Sequence, residues 1–348
     1  NGDIVTFTNG VRVEAKQGSI FVSAGDGIVI EDDQVVLEAS HNIHLRVETW
    51  ETTLLGNRLD ETRATSILRG TLEAGDTINL VGGNEKGQHW LVADNARLVA
   101  HDVILNTGNG DNRFELQGRI EATNVEFRTG QDGDVLWLGG VIEADHVLVQ
   151  GGAGDDRVTF DGEHAVGRLD VDLGAGNDTL RVHGTIHAEH GMRFYGGAGN
   201  DDLMLHADEL IGEIELLGGV GNDTLTVVEL NSRSDGLLMD GGSGSDTYRI
   251  VMHQGANANY EITVADGGAI NDGVDFLFIE GRGFDDYPGM LDRDLGAFVD
   301  GDMGDLFLIR RNFIARLEGD SSQGVTGGNV ERINYGADMN GRVTVNGH

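Results

Sequence analysis

The sequence predicts an all-β protein: a right-handed parallel β-helix or β-roll-like solenoid with rungs of about 22 residues. Three observations carry that expectation. Glycine-aspartate turns recur in a fixed register, apolar residues alternate after each turn, and the composition suits an unbroken β ladder. With 55 glycines and one proline in 348 residues, the backbone is forced out of a continuing ladder only at Pro288. A 39% hydrophobic share, in clusters such as Ile20-Phe21-Val22, Ile28-Val29-Ile30 and Val35-Val36-Leu37, separates the chain from a disordered acidic one.

The turns are Gly108-Asn109-Gly110-Asp111-Asn112, Gly130-Gln131-Asp132-Gly133-Asp134 and Gly152-Ala153-Gly154-Asp155-Asp156. They continue as Gly174-Ala175-Gly176-Asn177-Asp178, Gly197-Ala198-Gly199-Asn200-Asp201, Gly219-Val220-Gly221-Asn222-Asp223 and Gly242-Ser243-Gly244-Ser245-Asp246. Their closing residues fall at intervals of 22 or 23. Two places after each turn stand Phe114, Leu136, Val158, Leu180, Leu203, Leu225 and Tyr248. Four places after stand Leu116, Leu138, Phe160, Val182, Leu205, Val227 and Ile250. Mostly polar residues separate them, which is the alternation of a strand with one buried face. A unit this short cannot bury its own apolar face, but stacked rungs about 4.8 Å apart can. Right-handed coiling follows from the rule for parallel crossovers.

Residues 88–250 read as the regular solenoid, with Trp90 and Val92 supplying an upstream rung. Residues 1–87 carry strand clusters at uneven spacing and read as irregular rungs or a cap. Within them, Glu51 to Arg69 is more polar and leaves a helical turn or a loop open. Residues 251–348 read as longer rungs, with strands opening at Asp275-Phe276-Leu277 and Asp305-Leu306-Phe307 and an inserted loop at Phe284-Asp285-Asp286-Tyr287-Pro288. The last segment, Val343-Thr344-Val345, still reads as strand, so continuation into neighbouring domains or stacking into fibres is expected.

The formal net charge of −35 argues against a nucleic-acid partner. No cysteine is present for disulfides or zinc–thiolate sites. No apolar run approaches the roughly 18 residues of a membrane span. The start at Asn1-Gly2-Asp3, with no leader and no Met, is expected of a processed product or a piece of a longer chain.

Alternating glycines at the turns permit positive φ and leave space beside backbone carbonyls. Stacked carboxylate and carbonyl oxygens are what calcium takes, at six to eight ligands. The alternative is that Asn-Asp and Gly-Asp are simply good turn formers. Against it, stacking would set like charges roughly 5 Å apart, which is unfavourable without a cation.

Gly196-Gly197-Ala198-Gly199-Asn200-Asp201-Asp202-Leu203 and Gly218-Gly219-Val220-Gly221-Asn222-Asp223-Thr224-Leu225 resemble the glycine-aspartate nonapeptide of RTX (repeats-in-toxin) proteins. The resemblance covers roughly residues 107–250 and implies Ca²⁺ held between adjacent coils. It implies carboxylate ligands at Asp156, Asp178, Asp201, Asp223 and Asp246, and in the less regular turns at Asp111, Asp132 and Asp134. Asp155, Asn177, Asn200 and Asn222 stand beside them in the motif. The carbonyls of Gly152, Gly154, Gly174, Gly176, Gly197, Gly199, Gly219, Gly221, Gly242 and Gly244 would complete the shell. The chain departs from the family pattern in having one motif per rung, which implies one calcium column and a wider coil, and in carrying Leu173 where the first glycine stands. The resemblance also implies bacterial export by a type I system, and millimolar extracellular calcium suits weak modular sites.

The expected function is a non-enzymatic, calcium-stabilised structural or adhesin module, secreted or on the cell surface. A module binding carbohydrate or a cell-surface glycan is the alternative, with Trp137 as its outward aromatic. A β-helix polysaccharide lyase or epimerase is a third. The chain has no His-Glu-x-x-His and no Gly-x-Ser-x-Gly. His183, His187 and His190 form the tightest histidine group and read as solvated outer-face residues.

Overall fold

The computed structural model of the chain describes residues 4–47, 64–83, 87–228, 236–252, 261–265, 267, 273–281, 306–309, 313–317, 330–335 and 343–346. Among them all regular structure is strand, and apart from the antiparallel pairings of Phe313–Leu317 the strands stack in parallel as a β-solenoid. Two compact units are present, Asn1–Thr179 and Leu180–His348, dividing inside the stretch read as regular.

In the first unit the segments that follow the turns form one parallel sheet. Its strands are Ile4–Phe7, Gly27–Ile30, Ala64–Leu68, Gln88–Val92, Arg113–Leu116, Val135–Leu138 and Arg157–Phe160, in sequence order. The register stacks Trp90, Phe114, Leu136 and Val158 in one line and Val92, Leu116, Leu138 and Phe160 in another. None of these is more than 2% exposed. They are the residues two and four places after each turn, so the alternation locates the core. The 13-residue strands Arg119–Gln131, Val141–Ala153 and Glu163–Ala175 form a second parallel wall. Its Phe127 meets Phe114 across the interior, with ring centroids 5.4 Å apart. Strands of residues 4–81 join the same walls. Residues 51–63 of the polar segment lie outside the described residues; Ala64–Leu68 is strand.

In the second unit Asp202–Leu205, Thr224–Val228, Thr247–Met252, Phe276–Gly281 and Val343–Asn346 follow one another in parallel. Leu203, Leu225, Tyr248 and Leu277 stack, as do Leu205, Val227, Ile250 and Ile279. A second wall runs through Met192–Ala198, Ile214–Val220, Leu237–Ser243, Glu261–Ala265 and Val330–Tyr335. Here one sequence expectation fails. The strand Leu306–Ile309 is not the next rung after Phe276–Gly281; it pairs antiparallel with Phe313–Leu317, which pairs antiparallel with Val330–Tyr335. Apolar alternation does not distinguish parallel from antiparallel partners, and only three residues separate these two strands, so the local pairing closes a very short loop. The expected insertion at Phe284–Pro288 lies outside the described residues.

On the outer face of the first unit, like charges stack in register, Arg97 on Arg119 and Glu121 on Glu143, and opposite charges meet diagonally. Arg97 donates to both carboxylate oxygens of Glu121 at 2.9 and 2.6 Å, Arg119 Nε donates to Glu121 at 2.9 Å, and Arg119 also reaches Glu143. Such partly exposed pairs contribute roughly 0.2–1 kcal/mol each. They favour correct register more than they add stability.

One core position breaks its column. His164 stands in register with Ile142 and, one rung further, Ile120; it is 4% exposed and edge-on to Phe160 at 5.6 Å. Burial pushes its pKa down to about 4 from 6.5. The unfolded chain therefore binds a proton that the folded chain refuses between those values, and stability is lost as pH falls from 6.5 toward 4.

Two outcomes follow for denaturant unfolding of the intact chain. Phe114→Ala, which empties a ring site touching Phe127, is expected to lower stability by about 3–5 kcal/mol, whereas outer-face Thr159→Ala changes it by less than about 0.5 kcal/mol. His164→Ile continues the isoleucine line and is expected to raise stability most below pH 6.5, flattening the acid limb. An unchanged acid limb in His164→Ile would assign that limb to other groups.

Candidate functional site

The turns bring backbone, not side chains, close together between rungs. φ lies between 103° and 142° at Gly152, Gly154, Gly174 and Gly176, and between 90° and 143° at Gly197, Gly199, Gly219, Gly221, Gly242 and Gly244. A Cβ on Gly174 would stand 2.1 Å from the Gly152 carbonyl oxygen. Neither the backbone shape nor the space there admits a side chain.

The residue closing each turn points inward, and these residues form a continuous ladder within each unit. In the first, the backbone N–H of Asn112 donates to Asp134 Oδ1 at 2.6 Å. Asp134 N–H donates to Asp156 Oδ1 and Asp156 N–H to Asp178 Oδ1, both at 2.7 Å. In the second, Asp201 donates to Asp223 and Asp223 to Asp246, each at 2.8 Å, and Asp246 donates to Asp275 at 2.9 Å. Every one of these aspartates is 3% exposed or less. Asp275 was not among the sequence candidates. Its turn lacks the glycine pattern, and the signal that places it is the strand alternation of Leu277 and Ile279 behind it.

The second carboxylate oxygen makes the column unusual. Oδ2 of Asp134, Asp156 and Asp223 is buried and receives no hydrogen bond. At Asp156 and Asp223 it faces space left by a missing side chain: a Cβ on Gly151 would lie 2.7 Å from Asp156 Oδ2 and 2.2 Å from the Leu173 carbonyl oxygen. A Cβ on Gly218 would lie 2.5 Å from Asp223 Oδ2 and 2.6 Å from the Gly241 carbonyl oxygen. Acceptor oxygens thus converge with no donor between them. Burial raises these carboxyl pKa values, to about 8 at Asp134, 6 at Asp156 and 7 at Asp223. Beside the Gly241 position the Tyr248 hydroxyl fills part of the space, accepting from Gly241 N–H and donating to the Ala265 carbonyl, both at 2.7 Å.

Within each unit the neighbouring motif positions form a separate, exposed line. Asp155, Asn177, Asn200 and Asn222 face outward, and their ladder runs in the opposite direction. Asn177 N–H donates back to Asp155 Oδ1 at 2.7 Å, and Asn222 and Ser245 N–H donate back to Asn200 and Asn222 Oδ1 at 2.8 Å. Asp111 and Asp132 are also exposed; Asp132 adopts φ 71° and accepts from Gly110 N–H at 3.1 Å. The sequence candidates therefore divide into a buried carboxylate column and a solvated Asp/Asn line.

The remaining candidates stand apart from the column. His187 pairs with Glu209 at 3.2 Å, and His183 meets the His206 ring at 6.1 Å. Trp137 is half-buried on the outer face, its ring lying across Gly139, where a Cβ would be 2.1 Å from Cη2.

The donors fit a hard cation. The orphaned oxygens are carboxylate, the groups around them are carbonyls, and no nitrogen or sulfur ligand intrudes. Among the described residues no three His, Cys, Asp or Glu side chains converge on one point, so a cation here would rest on one carboxylate per rung with backbone oxygens for the rest. Comparison of the chain with protein-family models, curated proteins and solved structures gives no match.

Proposed function

We propose that this chain is a non-enzymatic, calcium-stabilised structural solenoid of an exported, RTX-like protein, serving outside the cell as a stalk or adhesive scaffold. The observation that carries the proposal is the buried Oδ2 of Asp156 and Asp223, set against backbone carbonyl oxygens and receiving no hydrogen bond. Bound calcium supplies the positive charge that such oxygens need. Asp134, Asp156, Asp178, Asp201, Asp223 and Asp246 would hold it through their carboxylates, with the turn carbonyls beside them. The chain's own part is to preorganise those oxygens through the Oδ1 ladder and to exclude water from them.

A second reading has one observation in its favour. Trp137 rests against Gly139 on the outer face, which fixes it as an aromatic platform for a surface glycan. Glycan-array binding lost in Trp137→Ala would favour it, and no binding by the parent chain would remove it.

Calcium that binds only the folded form adds about 2.7 kcal/mol per site at a hundredfold excess over Kd. In EGTA the β-type circular dichroism and melting temperature are therefore expected to fall, to recover with calcium and to recover poorly with magnesium, which demands tighter octahedral geometry. The pH dependence has a defined sign. Carboxyl pKa values of about 6 to 8 in the folded form lie above the ordinary 3.8, so the folded chain holds extra protons and stability declines as pH rises through that range. His164 acts in the opposite sense, but only below pH 6.5. Between pH 6.5 and 8.5 the melting temperature in EGTA is expected to fall, and in calcium to stay level. Coincident melting curves in EGTA and calcium across this range would reduce the column to protonated carboxylic acids and remove calcium from the function.

A further inference from the structure

Asn112 occupies the column position taken by Asp134, Asp156 and Asp178 in the turns that follow, and its geometry shows what an uncharged rung looks like. Its Oδ1 accepts the backbone N–H of Gln88 at 2.9 Å, the same service each aspartate Oδ1 performs for the rung before it. Its Nδ2 stands where those aspartates carry Oδ2. It donates to the carbonyl oxygen of Gly108, within its own turn, at 3.2 Å and to that of Thr129, in the next rung, at 3.3 Å. The matching carbonyls behind Asp156 and Asp223 belong to Leu173 and Gly241, and these share with Oδ2 the space beside Gly151 and Gly218. Oδ2 of Asp156 and Asp223, on side chains 3% and 1% exposed, offers those carbonyls only a further acceptor.

We infer that Asn112 is the cation-free end of the metal column. Its amide N–H groups take the place of the ion, the first carboxylate set against carbonyls across a side-chain-free space is Asp156, and the amide-or-carboxylate choice at each rung sets whether that rung needs a cation. This rests on the calcium assignment proposed above. It goes further in fixing where the column starts and in reversing the usual expectation for ligand removal. Asp→Asn inside the column should yield a rung that folds without the ion, because the amide restores both the Oδ1 acceptor and a donor toward the carbonyls.

The test uses the intact chain, with bound calcium counted by elemental analysis after gel filtration and melting followed in EGTA at pH 8. Asp156→Asn and Asp223→Asn are each expected to lose one calcium per chain and to melt higher than the parent in EGTA. Asn112→Asp, prepared in calcium, is expected to gain one calcium and to melt lower than the parent once EGTA is added. If the parent binds calcium but Asn112→Asp gains none, or the Asp→Asn variants keep the parent's count or melt lower in EGTA, the inference falls and the calcium assignment stands. If the parent binds no calcium, that assignment falls and the inference with it.

Discussion

Parallel, in-register stacking is the constraint on which everything else in this molecule depends. A strand that pairs with a near copy of itself sets like upon like, so every column repeats one chemistry rung after rung. For apolar residues this is favourable: Trp90, Phe114, Leu136 and Val158 bury one another without a shape search, at roughly 25 cal/mol for each Å² removed from water. For charged residues it is unfavourable, and the outer face offsets it by setting the Arg97–Arg119 line beside the Glu121–Glu143 line, so that carboxylates meet guanidinium groups diagonally. The buried aspartates have no such escape. They repeat their charge along the line, and only their surroundings can compensate it.

Their first oxygen has a role that needs no ion. At the start of each strand the parallel ladder already uses the closing residue's carbonyl: Arg157 N–H donates to the Asp134 carbonyl, Thr179 N–H to that of Asp156, and Thr247 N–H to that of Asp223, each at 2.8 Å. The closing residue's own N–H would otherwise be buried without an acceptor. The Oδ1 of the next rung supplies one, extending the ladder one bond into the turn. A buried N–H left unmet costs about 1–3 kcal/mol, which explains why a short side chain with an oxygen at that reach recurs. Serine at this depth is too short and glutamate too long, so asparagine and aspartate are the natural occupants. The exposed Asp155, Asn177 and Asn222 line serves the adjacent N–H groups from the opposite side, so the turn backbone is tied in both directions.

Much of this was legible in the sequence because a period is a long-range signal written locally. Phe114, Leu136 and Val158 disclose their contacts by spacing alone, and the turn glycines disclose positive φ by residue type. What spacing could not disclose was the inward or outward fate of adjacent acidic residues. Asp155 and Asp156 look equivalent as letters, yet one is solvated and the other buried, a difference fixed by the backbone twist of the turn. Asp275 escaped because its turn keeps only Gly273 of the Gly-x-Gly pair while retaining the strand behind it. The strand at Leu306 was misassigned for the complementary reason: it keeps the alternation, but the chain folds back on itself locally. His164 was invisible as well, since a lone histidine among polar neighbours gives no sign that its register partners are isoleucines.

The contrast between Asn112 and Asp156 separates two demands that one residue type normally hides. The ladder asks only for Oδ1, and both side chains meet it. If backbone satisfaction were the whole requirement, amides along the entire column would be better than carboxylates, since they bring no charge into the interior and supply a donor to the facing carbonyls. Carboxylates at Asp134, Asp156 and Asp223 therefore sacrifice unconditional stability. On the proposed reading that sacrifice is the functional content of the column. An amide-lined solenoid would order wherever it was made, whereas a carboxylate-lined one remains self-repelling until calcium is plentiful. With a net charge of −35 opposing compaction throughout, the buried column is, on that proposal, the place where binding and folding become one equilibrium. Its amide end keeps that dependence from extending into the irregular rungs before it.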